Sequence, residues 1–212
     1  SSFMLSYTNM EQNGIMPNSH LSKNIVLFNA SYDVIDDLKV SASVNYINTQ
    51  GKGRNSTGYS DNIMSSFRQW MQTNVDWQEQ KQLYEDYEEN ITWNPNAPDD
   101  LAPAYWDNPY WLRYQNYETD LRDRIIGYIQ ADWKINDYFS LMGRYSLDTY
   151  SELQEERKAV GSAAGEMGVG AAGVRADVTS GYSRFDRSFM ERNIDLMLKF
   201  QKNLSENFSL GV

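Results

Sequence analysis

The feature that most constrains this chain is strict alternation of apolar and polar residues, repeated in well-separated segments. Leu38, Val40, Ala42, Val44 and Tyr46 fall on one side, and Lys39, Ser41, Ser43, Asn45 and Ile47, almost wholly polar, on the other. Val26, Phe28, Ala30, Tyr32 and Val34 likewise oppose Asn29, Ser31 and Asp33, with Ile25 and Leu27 blurring the polar side. Ile125, Gly127, Ile129, Ala131, Trp133 and Ile135 oppose Arg124, Tyr128, Gln130, Asp132 and Lys134. Phe139, Leu141, Gly143, Tyr145 and Leu147 oppose Ser140, Met142, Arg144, Ser146 and Asp148. Ile194, Leu196, Leu198 and Phe200 oppose Asn193, Asp195, Lys199 and Gln201. Phe208 and Leu210 begin a further strand, and Phe3, Leu5 and Tyr7 a first. A period of two builds a sheet with one apolar face.

The connections are unequal. Val34 to Leu38, Ile135 to Tyr138 and Leu204 to Phe208 are short and rich in Asp, Asn and Ser, which favour turns. The others run from about Gln12 to Ser22, Gly51 to Leu121 and Ser151 to Arg187. In an up-and-down meander the short turns gather at one end and the long loops at the other, the asymmetry of outer-membrane barrels. The arm from Arg124 to Ile135 would extend roughly 40 Å, beyond the roughly 17–20 Å usual in soluble domains. Tyr32, Trp133, Tyr138, Phe139, Phe200 and Phe208 flank the short turns, as an interfacial girdle would; core aromatics are the alternative. The expected fold is all-β: about seven up-and-down antiparallel strands over residues 1–212, part of a large transmembrane β-barrel. Long extracellular loops near 51–121 and 151–187 would contain short helices. Both ends read as cut through β-structure, with no signal sequence at Ser1.

Composition removes several function classes. A net charge of −10 repels nucleic acid. Cys is absent, so no Cys/His constellation can gather, and the only histidine, His20, lies in a polar turn where a solvated loop residue is expected. No apolar run approaches the roughly 18 residues of a membrane helix. Gly168-Val-Gly170-Ala-Ala-Gly173 matches GxGxxG by letter, but Gln154 to Lys158 before it does not read as a buried strand and no amphipathic helix comes after it. A flexible loop is expected there. Asp99-Asp100 and Glu88-Glu89 lack the oxygen spacing of a calcium loop and read as charged surface. No catalytic, cofactor or metal residue is assigned.

The long loops carry most of the tryptophan. Asp61 is placed to cap a helix whose Ile63, Met64, Phe67, Trp70 and Met71 share a face, expected to pack the loop onto its own barrel. Gln78 to Glu89 reads as a solvated helix or coil. Trp93, Tyr105, Trp106, Tyr110 and Trp111 form the candidate contact group. Such rings can stack on sugar or peptide planes, dock a partner protein, or wedge the loop into shape.

Several stretches in order resemble the barrel of SusC/RagA-type TonB-dependent transporters of Bacteroidetes. They are Phe3 to Tyr7, Gly14-Ile15, Pro17-Asn18, Asn24 to Asn29, Asp107-Asn-Pro-Tyr-Trp111, Arg122 to Tyr128, Asn136-Asp137 and Leu141 to Asp148. The resemblance implies a bacterial outer-membrane location and a barrel of about 22 strands around a plug. It also implies a SusD-like surface lipoprotein partner, energy from TonB-ExbB-ExbD, and import of oligosaccharides or peptides. The plug and TonB-contacting segment are not in these residues. Two other readings are a passive porin or channel, and a soluble all-β carbohydrate-binding module.

Overall fold

The computed structural model describes the chain apart from residues 57, 58, 60, 170–174, 206, 207 and 212. Seven antiparallel strands form its body: β1 (Ser2–Asn13), β2 (His20–Ile35), β3 (Leu38–Lys52), β6 (Tyr117–Lys134), β7 (Phe139–Lys158), β10 (Gly181–Ser205) and β11 (Phe208–Gly211). They lie in that order, each beside its predecessor, as a meander requires. Helices α1 (Ile63–Gln69), α2 (Trp77–Tyr87) and α3 (Pro109–Tyr114) lie between β3 and β6, with the small pair β4 (Pro95–Ala97) and β5 (Asp100–Pro103). A second small pair, β8 (Gly165–Met167) and β9 (Arg175–Val178), lies between β7 and β10.

The turn chemistry fixes the hairpins. Ile35 faces Leu38 across Asp36-Asp37. Asn136 Oδ1 accepts from the backbone N–H of Tyr138 and of Phe139, at 2.9 and 3.0 Å, an Asx turn that closes β6 onto β7. The third expected turn lies partly outside the described residues, at 206 and 207.

Register carries each strand's apolar positions into line with its neighbour's. Phe3, Ala30, Ala42, Ile129, Tyr145 and Ile194 form one row across six strands. Tyr32, Val40, Ala131, Gly143 and Leu196 form another. Gly127 interrupts the bulky series because a Cβ there would lie 2.5 Å from the Ser43 carbonyl oxygen. The resulting face is open: Ile194 is 81% and Leu196 76% exposed.

This band has an upper edge. The next row is Asn9, Asn24, Asn48, Asp123, Ser151 and Ser188. The Tyr7 hydroxyl donates to Asn24 at 2.7 Å and the Tyr46 hydroxyl to Asp123 at 2.6 Å, each ring on the apolar side and each oxygen on the polar side. Aromatics therefore bound the band at both ends, with Trp133, Phe139 and Phe200 at the short-turn end. Phe139 and Phe200 pack at 5.1 Å. On the opposite face Arg144–Asp195, Arg124–Asp148 and Arg122–Glu152 bridge adjacent strands.

The strands outrun the expected boundaries. β6, β7 and β10 contain 18, 20 and 25 residues, so the connections expected at 51–121 and 151–187 shrink to 53–116 and 159–180. Past the apolar band polar residues predominate on both faces, and alternation stops marking the strand. Pairing there is tied instead by side chains: Lys52 and Arg157 lie over the Tyr117 ring, and Arg157 also over Tyr182. Gln154 to Lys158 is therefore strand, contrary to the expectation from sequence. The glycine fingerprint leads into β9 rather than a helix, while its residues 170–173 lie outside the described residues.

Candidate functional site in the loop assembly

The two long connections fold together over the polar face at the end away from the short turns. Their centre is Asp107-Asn108-Pro109. Asn108 caps α3, its Oδ1 accepting from Tyr110 N at 2.8 Å, and Pro109 supplies a first-turn residue that needs no amide donor. The Asn108 side chain is fully buried and its Nδ2 donates to the carbonyls of Gln80 and Ile91, both at 2.8 Å. One residue thereby joins α2, the loop after it and α3.

Asp107 joins the two connections. Its Oδ1 accepts from Asn90 Nδ2 at 2.7 Å and from Ala163 N at 2.6 Å. Burial pushes its carboxyl up to about 6, against the pull of those donors and of the Lys158 charge. Lys158 of β7 reaches Asp61 at 2.8 Å in a pair whose side chains are 2% and 15% exposed. Burial also raises the Asp61 carboxyl, with Lys158 opposing. Asp61 is therefore an anchor and not a cap: Asn62 caps α1, accepting from Met64 N and Ser65 N.

Arg113 is the third anchor. It is 6% exposed and donates through Nε to the Pro17 carbonyl at 2.9 Å and through Nη2 to the Gly53 carbonyl. Asn18 Nδ2 returns a bond to the Arg113 carbonyl at 2.7 Å. Three segments far apart in sequence meet on this guanidinium. Among the described residues no carboxylate pairs with it.

The five candidate contact aromatics separate. Trp111 is buried and donates Nε1 to Ser162 Oγ at 2.8 Å, so it packs one connection on the other. Trp93 is half-buried, its Nε1 shielded and without a hydrogen-bond partner. Tyr105 is exposed, and its backbone N–H is held by Asn94 Oδ1. Trp106 lies 5.9 Å from Trp70, nearly parallel, and 5.8 Å from Tyr59, while Tyr59 and Trp70 meet edge-on at 5.9 Å. Tyr59 and Trp70, absent from the sequence-based group, are about half exposed and complete an aromatic cluster on the outer surface of the assembly. Their membership has no local signal, since Tyr59 and Trp106 are separated by two helices and a small strand pair.

Tyr110 instead borders an apolar groove of about 300 Å³ with Ile15, Met64, Phe67, Trp77 and Arg113. Of the α1 stripe, expected to pack onto the sheet, Ile63 alone is fully buried and Met71 is half-buried, while Met64, Phe67 and Trp70 stay exposed. α2 forms where a solvated helix or coil was expected, and Glu88 ends it in the left-handed conformation. Asp100 closes a local turn by accepting from Ala102 N and Asn96 Nδ2. Among the described residues no group of acids and histidine is arranged to hold a metal ion. His20 pairs with Glu11 and Asn13 at the start of β2.

These features define an antiparallel sheet protein with one open apolar face and a loop assembly at one end. Neither the family models nor the curated proteins with which the chain was compared give a match.

Proposed function

We propose that the sheet is a section of the wall of a transmembrane β-barrel in a bacterial outer membrane, within a TonB-dependent importer of SusC/RagA type. The apolar band carries this reading. It runs from Leu38 to Tyr46 on β3, nine residues, and spans Met190 to Phe200 on β10, eleven residues in which Arg192 is the one charged side chain on that face. A tilted strand crosses the hydrocarbon layer in about 9–11 residues. Aromatic residues at both margins fit the two lipid–water interfaces, and an open apolar face of this extent fits lipid better than water. The ion-paired opposite face suits a wet lumen. The loop assembly over that face would then lie outside the cell, and the short turns in the periplasm.

The resemblance carries the further step from a barrel to an energised importer. On it rest the SusD-like lipoprotein and TonB-ExbB-ExbD as partners, and oligosaccharides or peptides as cargo. The Tyr59–Trp70–Trp106 cluster, with Tyr105 beside it, is the best-placed surface for contact with cargo or lipoprotein. Extraction of the full protein only by detergent, with a gel band that shifts on heating, is the expected result. Release into buffer without detergent would overturn the reading. Uptake that survives collapse of the proton-motive force would keep the barrel but remove the importer.

A further inference from the structure

We propose that Arg192 holds the anionic phosphate of a membrane lipid against the apolar face of the sheet. The inference rests on the reading of that face as a barrel wall. Between the polar row and the short turns the apolar band crosses six strands, and Arg192 on β10 is the one charged side chain in it. The residues in register with it are Leu5, Phe28, Val44, Gly127 and Leu147, none with a side-chain acceptor. Arg192 is exposed, and among the described residues no carboxylate pairs with it. Its Nε donates to Met190 Sδ at 3.2 Å, a weak acceptor. Beyond the band on the same face, Asp123 is engaged by Tyr46 and Asn48, and Asp186 by Arg184. On its other flank β10 meets β11 only between Gln201 and Ser205, so no described strand lies beside Arg192 there.

A cation among lipid tails is costly, and it persists where an anion meets it or the headgroups lie within reach. Met190 and then Ser188 follow Arg192 on the same face toward the loop end, where the polar row begins. Ser188 is roughly 13 Å away along the strand, and less across the layer once the strand tilts. An arginine stem laid over apolar side chains can carry its head toward that margin, and the contact with Met190 lies on that side. There a phosphate with net negative charge offers oxygens that match the fork of guanidinium donors. A zwitterionic headgroup offers a phosphate whose charge is already balanced.

The full protein is unfolded in urea from vesicles of phosphatidylcholine, and of phosphatidylcholine mixed with phosphatidylglycerol, as parent, Arg192→Leu and Arg184→Leu. Adding phosphatidylglycerol should raise the folding constant of the parent relative to Arg192→Leu by about tenfold, the scale of one charge-assisted hydrogen bond. Arg184→Leu removes the same charge from the same face of β10 beyond the band, and its ratio to the parent should shift clearly less. Equal shifts for the two variants would show diffuse surface charge. An unchanged ratio for Arg192→Leu would show that the guanidinium meets no lipid, whether or not another strand pairs with it. Either result overturns the proposal. Failure to insert into vesicles of either composition would overturn the barrel-wall reading first, and the proposal with it.

Discussion

The Lys158 ammonium and the Asp61 carboxylate meet at 2.8 Å across 97 residues of sequence, almost out of reach of water. The pair fastens the connection before α1 to the last residue of β7. Removing only the cation strands a buried carboxylate, and breaking a buried pair in this way costs about 3–5 kcal/mol. Lys158→Met should therefore destabilise the loop assembly, raising amide exchange around Asp61 and residues 159–165. Adding Asp61→Asn should recover much of the loss. A double variant no more stable than Lys158→Met alone would remove the pair as the source of the effect.

Asp107 gives the assembly a pH dependence. Its folded carboxyl lies at about 6, raised by burial, against about 3.9 in an unfolded chain. The folded state thus binds a proton more readily than the unfolded state. Its stabilising effect is complete below about pH 4 and is lost as pH rises through about 6. The raised Asp61 carboxyl acts in the same direction. Local stability from amide exchange should be higher at pH 5 than at pH 7, and Asp107→Asn should flatten that slope. A slope of the opposite sign would show that the hydrogen bonds from Asn90 and Ala163 outweigh desolvation.

Asn108 is the most sensitive single position in the assembly. Asn108→Ala removes a helix cap worth about 0.5–2 kcal/mol. It also leaves the Gln80 and Ile91 carbonyls without their Nδ2 donor, at about 1–3 kcal/mol for each that water cannot reach. Proteolysis between α2 and α3 should accelerate sharply. Tyr105→Ala, at an exposed ring, should leave the cleavage rate near that of the parent.

The two sheet faces separate in a bilayer. Leu196→Arg on the apolar face should cost about 2–4 kcal/mol of barrel stability if it lies near the midplane. Asp195→Asn, on the other face, removes only a half-exposed bridge to Arg144 and should cost about 1 kcal/mol or less. Folding titrations in lipid vesicles compare the two. Equal losses would contradict a lipid–lumen division.

The strand pattern within the apolar band was legible because burial of one face imposes a period of two on each chain segment. The Asn136 turn is local chemistry of the same kind. Strand ends beyond Leu121 and Ser151 were not legible, because Glu152 and Arg122 hold their places through each other and no single segment records that. Asp61 shows the limit from the other side. Its sequence neighbourhood makes it a cap, but Asn62 takes that role and leaves Asp61 to Lys158.

By itself, then, the sequence determined a repeated one-sided β-structure, its short turns and the absence of thiol chemistry. Tertiary structure alone decided which aromatics share a surface, with Tyr59 and Trp70 joining Trp106 while Trp111 turned inward to Ser162. It also set the Arg113 guanidinium against carbonyls from two separate segments, at Pro17 and Gly53. The reason is physical: alternation is a property of neighbouring residues, whereas packing partners and the balance of buried charge arise only when distant segments exclude water together.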